Sequence, residues 1–431
     1  MLIRKGINNL DSIQSKILPG NIKLLDLKND QFKTNLISIY IKRPLSEEEV
    51  TMNSLIPSVL RMGSEKFPSQ SEISRAFQEL YGSSFGVGVG KIGEKQILSF
   101  KLSLTNDSYL EDRITTKAFS LLMDIILNPF VENGGFSKRY VEIEKEVLRE
   151  SILSRINNKG SYALERCIEE MCKDEPYSIH EDGKIEDLDK VNEVELYEHY
   201  RKILEESEID IAFTGEFQVE ELEREIISRF EFRNKKIVEI PREEIYVNVE
   251  QVKNIVDEMD VSQGKIVMGY RTNIDIKSND FIAMFMYSVI LGSGAHSKLF
   301  MNIREKHSLC YSINSYLEKM KSIMFITAGI ETVNFEKTIS LIKQEVEDMN
   351  NGIISENELV FAKKFVKNNL KSLKDSIWSL SDYYYNLSNQ GRNESVEEFL
   401  DKIESITVED IKRISSNIQL DTIYFLTKKG E

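Results

Sequence analysis

Histidine, cysteine and positive charge are all scarce in this chain, and each shortage excludes something. There are four histidines among 431 residues, His180, His199, His296 and His307, and no two stand four apart. A helical zinc site of the HxxEH or HExxH kind needs imidazoles at i and i+4 so that both reach one ion. The three cysteines, Cys167, Cys172 and Cys310, are an odd number at irregular spacing. They make neither a disulfide framework nor a CxxC pair, and read as buried thiols in a reducing compartment. Against 71 acidic residues stand 56 lysines and arginines, a net charge of −15. That opposes binding to nucleic acid or docking on anionic lipid, since both need clustered cations. The longest apolar run, Phe281–Gly292, falls short of the ~18 residues a membrane span needs and reads as a buried helix. The opening "MLIRKGINNLDSIQ" has no continuous apolar core of the signal-peptide kind. A cytoplasmic location is therefore expected.

What is present is a duplication. Residues 194–216 and 408–431 each read as an amphipathic helix, a short link, an apolar strand and a turn with glycine. Earlier, "TNLISIYIKR" (34–43) matches "GKIVMGYRT" (264–272), and a helix ending at Gly63 matches one ending at Gly292. A period of about half the chain is far too long for a solenoid. Two copies of one αβ domain fit, at 1–230 and 255–431, joined through the charged, Pro241-containing stretch between them. Adjacent strands followed by runs of helices give an α+β class, with a mainly antiparallel sheet in each copy. Ser46 with Glu49 predicts a capping box opening the first helix. A second helix is expected over 71–81, stopped by Gly82.

Several stretches have an ordinary reading beside a functional one. "GVGVG" (86–90) is followed by a strand, so it is no phosphate cradle; a strand with one bare face, closely packed by another element, is expected. A helix over 361–378 puts Lys363, Lys367, Lys371 and Lys374 on a solvated face and Phe365, Leu370, Leu373 and Ile377 on a core stripe. Trp378 and Tyr383 to Tyr385 read as core or interface. Glu142, Glu146 and Glu150 stack on one helical face, which alone is a solvated acidic stripe. In "LGSGAHSKLFMNIREKHSLCYSI" (291–313) a helix ends in a glycine turn, a second helix holds Arg304, and a loop delivers Tyr311 seven residues on. Two donors at a fixed separation can grip a peptide carbonyl or oxyanion. A surface Arg and a half-buried Tyr are the plainer reading.

That last stretch resembles the C-terminal signature of insulinase/pitrilysin-family metallopeptidases: a glycine turn, Ser-x-Leu-Phe, Arg-Glu-Lys, and Tyr seven after the Arg. The resemblance covers nearly the whole chain, including "RMGSEKFPS" (61–69), "EKEVLRES" (144–151), "PYSIHEDGKIEDLDKV" (176–191) and "FTGEF" (213–217). Its nearest branch is the bacterial YmfF-like group. It implies two homologous αβ domains forming a clamshell. Active members bind zinc through an HxxEH helix and a later glutamate. Aligned on Gly63, those positions are Ser54, Pro57 and Ser58, with Glu150 as the later glutamate. Serine is a poor zinc ligand, and Pro57 cannot act as a general base. No zinc is expected in this chain. Arg304 and Tyr311 stand where the family's substrate-gripping pair stands. The resemblance thus implies a non-catalytic, substrate-binding subunit of a two-chain zinc endopeptidase acting on peptides or unfolded segments. An HxxEH paralogue would supply the zinc, and a homodimer in isolation is compatible. The alternative is a catalytically inactive scaffold or peptide-binding subunit.

Overall fold

The computed structural model describes residues 13–233 and 236–430. The first half runs β1 (Gln14–Leu18), β2 (Ile22–Lys28), β3 (Thr34–Pro44), α1 (Val50–Met62), α2 (Gln70–Glu79), β4 (Ser84–Ile92), β5 (Lys95–Thr105) and α3 (Thr115–Leu127). A small hairpin, β6 (Val131–Glu132) and β7 (Gly135–Phe136), leads to α4 (Lys138–Ser154), α5 (Lys159–Met171), α6 (Ile185–Leu188), α7 (Glu193–Glu206), β8 (Glu208–Gly215) and α8 (Val219–Arg229). The second half runs β9 (Lys253–Met259), β10 (Gly264–Arg271), α9 (Phe281–Gly292), a π-helical segment Phe300–Lys306, β11 (Cys310–Glu318) and β12 (Ile323–Ile330). It closes with α10 (Phe335–Asn350), α11 (Glu356–Leu373), α12 (Ile377–Asn389), α13 (Val396–Ser405), α14 (Val408–Ser415) and β13 (Gln419–Lys428).

The duplication is visible strand by strand. The first sheet has the order β1-β2-β8-β3-β5-β4, and the second, β9-β13-β10-β12-β11, repeats all but β1. In each sheet the matching pair, β2 with β8 and β9 with β13, is parallel and the remaining pairs are antiparallel. The α+β class with two homologous units is the one observed. We divide the chain between 230 and 255, because no helix or strand of the described residues falls between Arg229 and Lys253.

Each sheet is apolar on both faces, so each needs two covers. One face of the first sheet packs on α1, α3 and α7, through Leu55, Phe119, Leu122 and Tyr200 among others. Its other face, with Leu25, Tyr40 and Ala212, is covered by α12 of the second half through Leu380, Tyr384 and Tyr385. Tyr385 stacks on Tyr40 at a centroid separation of 3.6 Å. The second sheet is served reciprocally. Its face with Val267, Phe325, Tyr424 and Leu426 is covered by α5 of the first half through Ala163, Cys167, Ile168 and Met171. Gly269 makes room there, since an added Cβ would lie 2.4 Å from the Met171 sulfur. Helices α5 and α12 occupy equivalent places in the two copies, so the halves exchange equivalent helices. Fully burying each large apolar side chain contributes about 1.5–3 kcal/mol.

Beneath each exchanged helix lies a buried cation on the central strand. Lys42 of β3 meets Asp210 of β8 at 2.8 Å and Glu208 at 3.0 Å. Arg271 of β10 meets Asp421 of β13 at 3.0 Å and also bonds Glu175, just beyond α5. Glu175 in turn bonds Lys321 at 2.7 Å, and Lys321 bonds Glu94 in the β4–β5 turn. The network therefore ties the two halves together.

Four local expectations are corrected. Ser46 and Glu49 form no capping box: Glu49 turns instead to buried Arg43, whose Nε lies 2.9 Å away. The bare face of "GVGVG" is not closely packed by another element: an added Cβ at Gly86 or Gly90 of the edge strand β4 has no neighbour within 4 Å, and at Gly88 it meets the side chain of the paired Ser99 on β5 at 3.3 Å. The helix expected over 361–378 breaks at Ser376, which caps α12 by accepting the Ser379 amide. Phe365 stays 37% exposed, so the core stripe of α11 is Ala362, Val366 and Leu370. By contrast, Phe281–Gly292 is a buried helix as expected, and the three cysteines are free and buried. No described helix is long and apolar enough to cross a membrane.

Arg271 is 2% exposed, and its removal would strand Asp421 and Glu175 without their cation. Arg271→Met is expected to lower stability by about 3–5 kcal/mol. Lys101→Met, which breaks a half-exposed pair with Asp382, should cost less than about 1 kcal/mol. Urea midpoints of the two variants test the contrast.

Candidate functional site

Two clusters carry the residues singled out from the sequence. The first is on α1. Ser54 is buried and its hydroxyl is spent locally, donating to the carbonyls of Thr51 at 2.8 Å and Asp182 at 3.1 Å. The chain around Asp182 lies hard against the helix. The Lys184 amide donates to the Thr51 hydroxyl at 3.2 Å, and Gly183, at φ +75°, leaves no space for a Cβ, which would fall 2.1 Å from that oxygen. Pro57 is buried inside the helix and Ser58 is partly exposed. Glu150, on α4, is exposed and has no hydrogen bond or ion pair among the described residues. The carboxylate of α4 that turns inward is Glu144, 4% exposed, whose pKa is raised by burial with Arg61 of α1 opposing.

Next to Ser54 runs a buried polar chain that the sequence did not announce. The Asn53 side chain donates to the Gln96 carbonyl oxygen at 2.9 Å, and its own oxygen meets His199 Nε2 at 2.7 Å. With Asn53 oriented that way, His199 donates through Nε2. Gln96 then donates to the carbonyls of Val50 and Glu181. His199 is 7% exposed on α7. Burial pushes its pKa down to about 4; Arg43 and Lys202 push the same way and Glu49 opposes. Only a spatial neighbour 146 positions away reveals its role, so periodicity could not have found it.

The donor set does not suit a zinc ion. Ser54 offers a neutral hydroxyl already committed to two carbonyls, Pro57 offers nothing, and Glu150 has no companion ligand. Among the described residues no group of three or more His, Cys, Asp or Glu side chains is arranged to hold a metal.

The second cluster is at the outer edge of the second sheet. Arg304 lies in the π-helical segment, 42% exposed on its side chain, with its guanidinium 4.6 Å from the Phe300 ring centroid. Its nearest carboxylate contact, to Glu305, is a loose 4.0 Å. Ser308, at φ +52°, ends the segment and leads into β11. There the register with β12 shifts between Cys310 and Ser312, so Tyr311 is the extra residue of a β-bulge rather than part of a loop. Bulges re-aim side chains at sheet edges. Tyr311 is 53% exposed and its hydroxyl donates to Glu331 at 3.1 Å, a bond that raises its pKa and keeps the phenol protonated. Arg304 lies close enough to oppose the upward push that burial gives the Cys310 thiol, to about 11. The structure thus brings Arg304 and Tyr311 to the same end of edge strand β11.

Comparison with known proteins gives this arrangement a family. A family model described as "Peptidase M16 inactive domain" matches residues 190–366. The chain is 33% identical over 409 residues, 94% of its length and 96% of the relative's, to "Probable inactive metalloprotease YmfF" of Bacillus subtilis. The chain belongs to the M16 peptidase family. It is an inactive-type M16 homologue, in keeping with the insulinase/pitrilysin resemblance of its sequence. A solved structure of a conserved protein from Enterococcus faecalis superimposes with a TM-score of 0.89 at 26% identity, covering 97% of this chain and 99% of that one. An M16 inactive-domain structure from Pseudomonas fluorescens shares the fold, with a TM-score of 0.77 at 18% identity over 97% and 98% of the two chains.

The buried His199 gives a pH test of the α1 cluster. Its folded pKa lies near 4, below the ordinary 6.5 of an unfolded chain, so its contribution is complete above 6.5 and is lost as pH falls toward 4. Lowering the pH from 7 to 5 should cost about 1–2 kcal/mol through this group, and His199→Gln should lose that increment. Its ring signals should remain those of a neutral imidazole at pH 5. Full protonation of His199 at pH 6 in the folded protein contradicts the burial argument.

Proposed function

We propose that this chain is the non-catalytic, substrate-binding subunit of a two-chain zinc metalloendopeptidase acting on peptides or unfolded segments. The observation that carries this reading is the contrast between the two clusters. The hydroxyl of Ser54 is buried and consumed by the protein's own carbonyls, whereas the guanidinium of Arg304 and the ring of Tyr311, its hydroxyl resting on Glu331, stand exposed at one sheet edge. Among the described residues the guanidinium has no ion pair beyond the loose contact with Glu305, and it rests on the Phe300 ring, so its N–H donors would be available to a bound peptide. Arg304 and Tyr311 would donate to main-chain carbonyls and hold an extended segment in place. An HxxEH-bearing M16 paralogue would supply the zinc and the general base. This chain's part is to bind and orient, and to place positive charge and a phenolic proton where oxygen charge develops.

A second reading, a catalytically inactive scaffold, has one observation in its favour. The Tyr311 hydroxyl already has an internal acceptor in Glu331, which a purely structural role would also explain.

The two separate by experiment. The purified chain alone should neither retain zinc through dialysis nor cleave unfolded peptides. Mixed with its HxxEH paralogue it should support cleavage, and Arg304→Ala should lower kcat/KM of the pair by about 10–100-fold and Tyr311→Phe by about tenfold. Chelator-sensitive cleavage by the single chain would overturn the proposal. Unchanged kinetics in both variants would favour the scaffold.

A further inference from the structure

Beside the far end of β11 lies a cavity of about 450 Å3 that the reading above does not use. Both halves build it: Lys91 and Ile92 at the end of β4, residues 317–320 at the end of β11, and parts of α11, α12 and α13. Phe285, Leu317, Met320, Leu370 and Phe399 give it an apolar wall. Three cations line it, and they differ in how they are employed. Lys91 donates to the carbonyls of Tyr177 and Ile179, each at 3.1 Å. Arg392 sits 4.8 Å from the Phe281 ring centroid and 5.2 Å from that of Phe399, and bonds Glu394. Lys319 makes no hydrogen bond and no ion pair among the described residues; its ammonium stands 5.4 Å from the centroid of the Phe285 ring.

The carboxylate among the lining residues, Glu318, accepts the backbone N–H of Met320 at 3.2 Å. The side-chain amides of Asn369, Asn386 and Gln390 also line the cavity, and none makes a side-chain hydrogen bond among the described residues. Burial holds the Lys319 ammonium below its usual range; Arg392 adds to the push and Glu318 opposes it. In a chain of net charge −15, an excess of positive charge in a half-enclosed apolar setting is costly unless an anion shares it.

We propose that this cavity binds a monocarboxylate carrying an apolar chain, with Lys319 and Arg392 taking the carboxylate and Phe285, Leu370 and Phe399 covering the chain. The volume is in the range of small-molecule sites and suits a group the size of one or two amino-acid residues. Two sources share this chemistry, the apolar C-terminal residue of a peptide and a medium-chain fatty acid. The site lies apart from Arg304 and Tyr311, and the test needs no partner subunit.

The test is calorimetric titration of the full chain with two acids and their neutral counterparts. The probes are octanoate against 1-octanol, and an acetylated tetrapeptide ending in leucine against its C-terminal amide. At least one acid should bind, and its neutral counterpart should bind at least about tenfold more weakly. Lys319→Met, which keeps the stem and removes the charge, should weaken the acid by at least about tenfold. Lys319→Arg should hold it within a few-fold, and the thermal midpoint of neither variant should fall. Binding of octanoate alone assigns a fatty acid, and binding of the peptide acid alone assigns a peptide C-terminus; either supports the site. Failure of both acids to bind the parent chain overturns the proposal, as does equal binding of acid and neutral forms.

Discussion

A β-sheet that is apolar on both faces cannot be finished by helices on one side, and that constraint organises this molecule. Each half carries enough helices for one face of its own sheet. The second face is closed by a helix from the other half, α12 on the first sheet and α5 on the second. The exchange also decides where charge can be buried. Lys42 with Asp210 and Arg271 with Asp421 occupy matching strands under the exchanged helices, and both pairs lie where water is excluded by a segment from the other copy. Such pairs add little net stability when intact and a large penalty when one partner is lost. They therefore make the docking of the helices specific more than they make it strong.

The same logic separates the two clusters of functional interest. On α1, hydroxyl, amide and imidazole are all matched to internal partners, with Asn53, Gln96 and His199 forming one chain of bonds. A buried polar network of this kind is stable because every member is satisfied, and it leaves nothing for a ligand. At the edge of the second sheet Arg304 has a loose 4.0 Å contact with Glu305, and Tyr311 is exposed with its hydroxyl on Glu331. Edge strand β11 keeps an unpaired outer backbone in the described residues, and a bulge presents Tyr311 there. In this M16 homologue the α1 cluster is closed on itself, while the sheet edge presents Arg304 and Tyr311 to the surface.

Much of this was legible in the sequence. The duplicated pattern gave the order of elements, because the apolar runs in 34–43 and 264–272 and the helices after them mark element type and length. The Arg304–Tyr311 spacing and the serines on the first helix were also readable. What was not readable depends on contacts far apart in the chain. Periodicity shows that a face is buried but not which helix covers it, so the exchange of α5 and α12 was invisible. Glu49 looked like a cap because the sequence shows its neighbours and not Arg43 folded back upon it. The bare face of "GVGVG" needed to be seen at the sheet edge before its openness could be recognised. Nothing in "SLCYSI" signals the extra residue of the bulge.

The exchange also sets a schedule for synthesis. The first sheet is complete in sequence once β8 ends at Gly215, but its second cover, α12, ends only at Asn389. At synthesis speeds of about 5–20 residues per second, the face bearing Leu25, Tyr40 and Ala212 waits roughly 10–35 s for its helix. Throughout that interval the nascent amino-terminal half carries an apolar face that only later sequence can cover.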